Sequence, residues 1–140
     1  MESGERSPLA PGLKHSMSVK VTEEMTPPHL RSEPIRVLAT PEMVRIIEQT
    51  AIQAVAPRLR ADQSTVGTRV EIAHMAATPE GMTVTATVEL VAVDRRKLSF
   101  RVEVHDELEK VGEGSHERFI VDREQRLPRL EAKVSRWRSR

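Results

Sequence analysis

An α+β fold, with one antiparallel sheet wrapped around a single long helix, is what this sequence predicts. One observation is a helical stretch with a sharp apolar stripe beginning at Thr40. Another is the alternation of apolar and polar residues from Gly67 onward, interrupted only by turn signals. The third is size, since 140 residues suit one domain and leave little room for a second. A helix with one apolar face cannot stay exposed beside a sheet that has a dry face of its own. Burying the first in the second is the simplest arrangement.

The elements follow in order. Residues 1–15 hold Gly4, Pro8, Pro11 and Gly12 among polar residues and read as a disordered leader. Met17, Val19 and Val21 alternate with Ser18, Lys20 and Thr22, the period of a first strand. Pro27, Pro28 and Pro34 forbid regular structure, so residues 25–38 form an irregular loop, either a cover over a pocket or a plain connector. Thr40 is placed at the N-cap of the helix and Pro41 at its first position. Met43, Ile46, Ile47, Ala51, Ala54 and Val55 form its buried face, and Pro57 ends it. Glu48 lies on the edge of that face.

In the first strand after Gly67, Val70, Ile72 and His74 share one face. Thr78-Pro79-Glu80-Gly81 makes a turn. The next strand carries Met82, Val84, Ala86, Val88, Leu90 and Ala92 on its dry side. A charged turn at Asp94-Arg95-Arg96-Lys97 leads to a strand with Leu98, Phe100, Val102 and Val104 inward, and a last strand runs from Val111 to Val121. The domain thus spans residues 16–125. Residues 126–140 form a basic, partly helical tail in which Leu127, Leu130, Val134 and Trp137 make a short amphipathic segment whose start is limited by Pro128.

Composition narrows the function. The net charge is +1, but seven Lys/Arg face two acids from Arg123 to Arg140, leaving the rest at −4. With only Phe100, Phe119 and Trp137 available to stack bases, this tail reads as solvated rather than as a nucleic-acid arm. The absence of cysteine excludes a disulfide framework and a thiolate metal site. No apolar run approaches the roughly 20 residues of a membrane span, and the N-terminus lacks a signal peptide's apolar region. The chain is expected in the cytoplasm, away from membranes.

Thr40, Glu48 and His74 are the candidates for chemistry. A hydroxyl, a carboxylate and an imidazole on rigid elements are parts of acyl transfer or hydrolysis. Taken singly each has a structural reading: a cap, a helix-edge carboxylate, an interior histidine. His116-Glu117-Arg118 reads as a surface charge cluster.

Together the segments Ala39-Thr40, Met43-Val44 with Glu48, Ala54-Val55-Ala56-Pro57, Gly67-Thr68 through His74, Ala76-Ala77-Thr78-Pro79, Gly81-Met82-Thr83-Val84-Thr85 and Gly114-Ser115-His116-Glu117-Arg118 resemble the fluoroacetyl-CoA thioesterase family of hotdog proteins. The match covers residues 35–122 with few gaps. The resemblance implies hydrolysis of a short acyl-CoA thioester, with Glu48 as nucleophile or base, His74 in proton transfer and Thr40 orienting the carboxylate. It places Gly67 and Arg118 beside the acyl pocket. It further implies a homodimer with the active site where two subunits meet, and no cofactor, coenzyme A being the carrier of the substrate. The segment before the helix, where the family has lid phenylalanines, here has none; Leu30, Ile35 and Leu38 are its apolar contributors. Arg58, Arg60, Arg95 and Arg96 are the loop cations available for the CoA phosphates. The alternative is a non-catalytic acyl-CoA-binding module of the same fold.

Overall fold

The computed structural model describes residues 9–140. Strands β1 (Lys14–Lys20), β2 (Gln63–His74), β3 (Thr83–Asp94), β4 (Lys97–His105) and β5 (Lys110–Asp122) form one antiparallel sheet in the order β1-β3-β4-β5-β2. The sheet curls around helix α1 (Thr40–Val55), and a second helix, α2 (Arg123–Arg138), follows β5. The fold is the α+β hotdog arrangement.

The helix stripe is the centre of the core. Met43, Ile46, Ile47, Ala51, Ala54 and Val55 are all at most 2% exposed, packed on Val84, Val88, Leu90, Leu98, Phe100 and Val102. Each such aliphatic side chain contributes roughly 1.5–3 kcal/mol by leaving water. Thr50 lies among them because its hydroxyl donates to the Ile46 carbonyl at 2.7 Å, which satisfies the one polar group it brings. The dry face of β3 ends at Leu90, not Ala92. A register shift between Leu90 and Ala92 turns the strand end outward, and Ala92 is exposed.

Three boundaries differ from expectation. Within the 1–15 leader, residues 1–8 lie outside the described residues, whereas residues 9–15 join the sheet. Gly12 donates to the Leu90 carbonyl at 2.8 Å and the Leu90 amide to Leu13, while Leu9 and Leu13 pack on the core. Two apolar side chains and a ladder partner outweigh the turn-forming residues there. Second, Ala39 rather than Thr40 caps α1, its carbonyl accepting from the amides of Glu42 and Met43. Third, α2 begins at Arg123 and runs through Pro128 instead of starting after it. Only the bond to the Glu124 carbonyl is forgone, one turn inside the helix. No residue of α2 is buried, and among the described residues no helix is long and apolar enough to cross a membrane.

Two strands lie at the sheet's margins. β1 pairs only with β3, and β2 only with β5, so one edge of β2 has no partner among the described residues. β2 also contains a one-residue bulge: Gly67 pairs with Arg118 and Arg69 with Glu117, leaving Thr68 unmatched. Side chains alternate along a strand, so residues 67 and 74 would point to opposite faces without the extra residue. The bulge puts Gly67 and His74 on the same, helix-facing side.

Candidate active site

The residues singled out from the sequence gather in two groups along the α1–β2 seam. At the start of α1, Thr40 Oγ1 lies 2.7 Å from His74 Nδ1. Because Ala39 supplies the cap, the Thr40 hydroxyl is released from helix duty and addresses the imidazole. His74 Nε2 is buried and has no hydrogen-bond partner among the described residues. A buried polar group in this state is costly unless a water or a substrate group meets it. Burial holds the His74 imidazole below the ordinary histidine range, partly offset by the Ala76 backbone.

An open groove of about 410 Å³ covers this pair, with Pro27, Leu30, Val37, Leu38, Ala76 and Ala77 among its walls. The irregular segment before α1 does lie over it, held by a bridge between Val37 and Pro79. Leu30 and Leu38 contribute as expected. Ile35 does not: it is 69% exposed, on the far side of the turn.

Glu48 stands eight residues further along the helix, about 12 Å of axial rise from Thr40. It therefore does not join the Thr40–His74 pair within one chain. Its neighbours are Arg118, whose Nη1 donates to Oε2 at 3.4 Å, and Gly67. A Cβ on Gly67 would run into the Glu48 carboxylate and come within 3.1 Å of Arg118 Nη1. A side chain at position 67 would push the Glu48 carboxylate from its place.

Arg118 is only 3% exposed and His116 is fully buried. The surface cluster expected at His116-Glu117-Arg118 is thus corrected. In a strand alternate residues share a face, and only Glu117 of the three turns outward, toward Lys97. Arg118 is held from every side: Nε donates to Thr65 Oγ1 at 2.8 Å, Nη2 to the Thr65 carbonyl at 3.1 Å, and Nη1 lies 3.2 Å from His116 Nε2. Burial draws the guanidinium down from its ordinary value, and Glu48 draws it back up. Thr65 escaped the sequence reading, and His116 entered it only as part of that surface cluster. The period-2 spacing from His116 to Arg118 was a usable signal, but nothing local betrayed that β5 turns this pair toward the helix.

Of the loop arginines, Arg58 donates to the Ala54 carbonyl, while Arg60 and Arg96 both reach Asp122. Asp122 lies well below the ordinary carboxylate range, chiefly through its bond from Arg96.

Comparison with known proteins finds relatives of both the sequence and the fold. The family described as fluoroacetyl-CoA-specific thioesterase, FlK, matches residues 21–124. The chain is similar to a fluoroacetyl-CoA thioesterase of Streptantibioticus cattleyicolor, 43% identical over 98 residues that cover 70% of this chain and 68% of that protein. Among solved structures it is similar to FlK itself, with a TM-score of 0.80 at 34% identity, covering 93% of this chain and 98% of that one. A thioesterase superfamily member from Thermus thermophilus superposes with a TM-score of 0.86 at 25% identity, over 96% and 100% of the two chains. By the extent of these matches in sequence and in fold, the chain belongs to the fluoroacetyl-CoA-specific thioesterase family and has the hotdog fold of thioesterases.

Proposed function

We propose that the protein hydrolyses a short-chain acyl-CoA thioester to the free acid and coenzyme A, in the cytoplasm, as a homodimer whose sites each draw on both subunits. The observation that carries this reading is the Thr40–His74 pair, with its buried, unpartnered Nε2 turned under a small apolar groove.

The chemistry follows from the groups. With Nδ1–H donating to the Thr40 hydroxyl, Nε2 presents a bare lone pair that can take a proton. Glu48 attacks the thioester carbonyl carbon, giving an acyl anhydride that water then hydrolyses to release the acid, or it helps a water attack that carbon directly. The tetrahedral oxyanion collapses, the C–S bond breaks, and the proton lost by the attacking water passes by way of Nε2 to the departing thiolate. Burial keeps the resting imidazole from carrying a second proton, so it can take one at each turnover. Positioned acid–base groups of this kind contribute about 10²- to 10⁴-fold each. Water and the protein's own side chains suffice, with no bound cofactor.

The dimer explains why Glu48 and His74 stand apart in one chain. The open edge of β2 can pair antiparallel with the same edge of a second copy. A twofold axis between Val70 and Glu71 would set Gly67, and with it Glu48, opposite the partner subunit's His74. The apolar walls of the groove support an acyl group, and the family supports a short one: FlK has been solved, as a variant, with fluoroacetate and CoA (TM-score 0.77, 35% identity, covering 84% of this chain and 98% of that one).

Two variants test this together. Glu48→Gln and His74→Ala should each fold and each lose hydrolysis of fluoroacetyl-CoA and acetyl-CoA by at least about 100-fold. Unfolded and refolded as a mixture, they should regain about a quarter of wild-type activity, because half the dimers then hold one intact site. Wild-type turnover by Glu48→Gln contradicts the catalytic assignment. A mixture as inactive as its components contradicts the shared site.

A further inference from the structure

His116 has no role in the reaction described above, yet it is fully buried, stacked against Phe100 with ring centroids 6.1 Å apart, and bonded at both nitrogens. Its Nδ1 lies 2.8 Å from the Arg69 carbonyl oxygen. A carbonyl can only accept, so the proton must be on Nδ1. Nε2 is then a bare lone pair, and it faces Arg118 Nη1 at 3.2 Å, a group that can only donate. The tautomer is fixed by its two neighbours.

The contact lies beside the bulge in β2: Thr68 is unmatched, the ladder resumes with Arg69 opposite Glu117, and the Arg69 carbonyl accepts from the imidazole. The same nitrogen of Arg118 that His116 holds is the one that reaches Glu48. One N–H of Nη1 is thus taken by the imidazole and the other is left for the carboxylate, while Thr65 takes Nε and Nη2.

We infer that His116 is a positioning residue for the hydrolysis, a neutral acceptor that fixes the rotation of the Arg118 guanidinium and so presents one N–H to Glu48. The inference rests on the catalytic reading of Glu48. Without that acceptor, Arg118 stays buried and Thr65 still holds Nε and Nη2, but the planar group can tilt about the line joining those two nitrogens, which displaces Nη1 and the carboxylate it meets. Misplacement of a reacting group by about 1 Å can cost 100-fold in rate.

Asparagine and glutamine separate the two nitrogens. The amide of His116→Asn falls where Nδ1 stands and can still donate to the Arg69 carbonyl, but it does not reach Arg118. The amide of His116→Gln reaches the position of Nε2 and offers Arg118 its oxygen. With fluoroacetyl-CoA and acetyl-CoA as substrates, His116→Asn should lower kcat about 10- to 100-fold with little change in KM, and His116→Gln should recover most of it. Wild-type kcat in His116→Asn overturns the inference. So does an equal loss in both variants that follows their loss of Tm, which is the mark of a purely structural residue. Glu48→Gln, measured alongside, distinguishes the two levels: if it is inactive while His116→Asn is unimpaired, only the positioning role falls, and if it is fully active, both readings fall.

Discussion

The sequence offers Thr40 two duties, helix cap and partner of an imidazole, and cannot choose between them. A threonine before proline at a helix start is the pattern of a cap, and losing a cap costs about 1 kcal/mol. Here the backbone carbonyl of Ala39 does that work, and the hydroxyl is bonded to His74. Thr40→Ala should therefore cost less than about 1 kcal/mol in stability. It should nonetheless lower kcat by at least about 10-fold, since a group that orients a catalytic base contributes to its rate. Thr40→Ser should recover both. Urea denaturation and steady-state kinetics on the same preparations check this; a large stability loss with normal turnover would return Thr40 to the capping role.

At the level of elements, the β2–β5 pair determines the site. Both Gly67 and Gly114 lie where a neighbour leaves no room, but the neighbours differ in kind. Gly67 faces the end of the Glu48 side chain, which can move, whereas a Cβ on Gly114 would strike the backbone of Glu71 and Ile72 in β2. Gly114→Ala should cost about 1–3 kcal/mol, the usual range for overpacking. A thermal melt showing no loss would mean that the two strands have slack.

This pair also shows where the sequence could be read and where it could not. The stripe of α1 and the dry faces of β3 and β4 were legible because burial of an amphipathic face leaves a period behind. Thr40, Glu48 and His74 could be named as candidates, but not that Glu48 stands apart from the other two within one chain. The burial of His116 and Arg118 was hidden, because a His-Glu-Arg run looks solvated unless its partners, Thr65 and Glu48, are known to face it. The bulge was hidden as well. It leaves no compositional mark beyond Gly67-Thr68, and only the pairing with β5 reveals it.

For the whole molecule, two buried imidazoles set an acid limit on stability. Burial holds both His74 and His116 below the ordinary histidine value in the folded chain; around His116, Arg118 adds to the effect while the Arg69 carbonyl, Glu48 and Glu117 oppose it. As pH falls through about 6.5, the unfolded chain takes up protons that the folded chain refuses. Stability contributed by these groups is therefore complete above that range and declines as pH drops below it, until the folded-state imidazoles titrate in turn. Asp106 and Asp122, both lowered, act only further down the scale. Denaturation at a series of pH values from about 7.5 to about 5 should show a falling stability, with a shallower slope in His116→Gln than in the wild type. A flat wild-type profile would mean that the imidazoles are freely protonated in place.

The unmatched residue of β2 makes this strand behave like a message with a reading frame. Substitutions between positions 67 and 74 change single letters, and most of the surrounding wall survives them. Removing or adding one residue there would instead exchange the inner and outer side chains of everything downstream, sending His74 to the solvent while leaving Gly67 beside the helix. Variation in this lineage should accordingly be tolerant of identity but strict about length across that stretch, and a library built on this scaffold ought to hold that length constant.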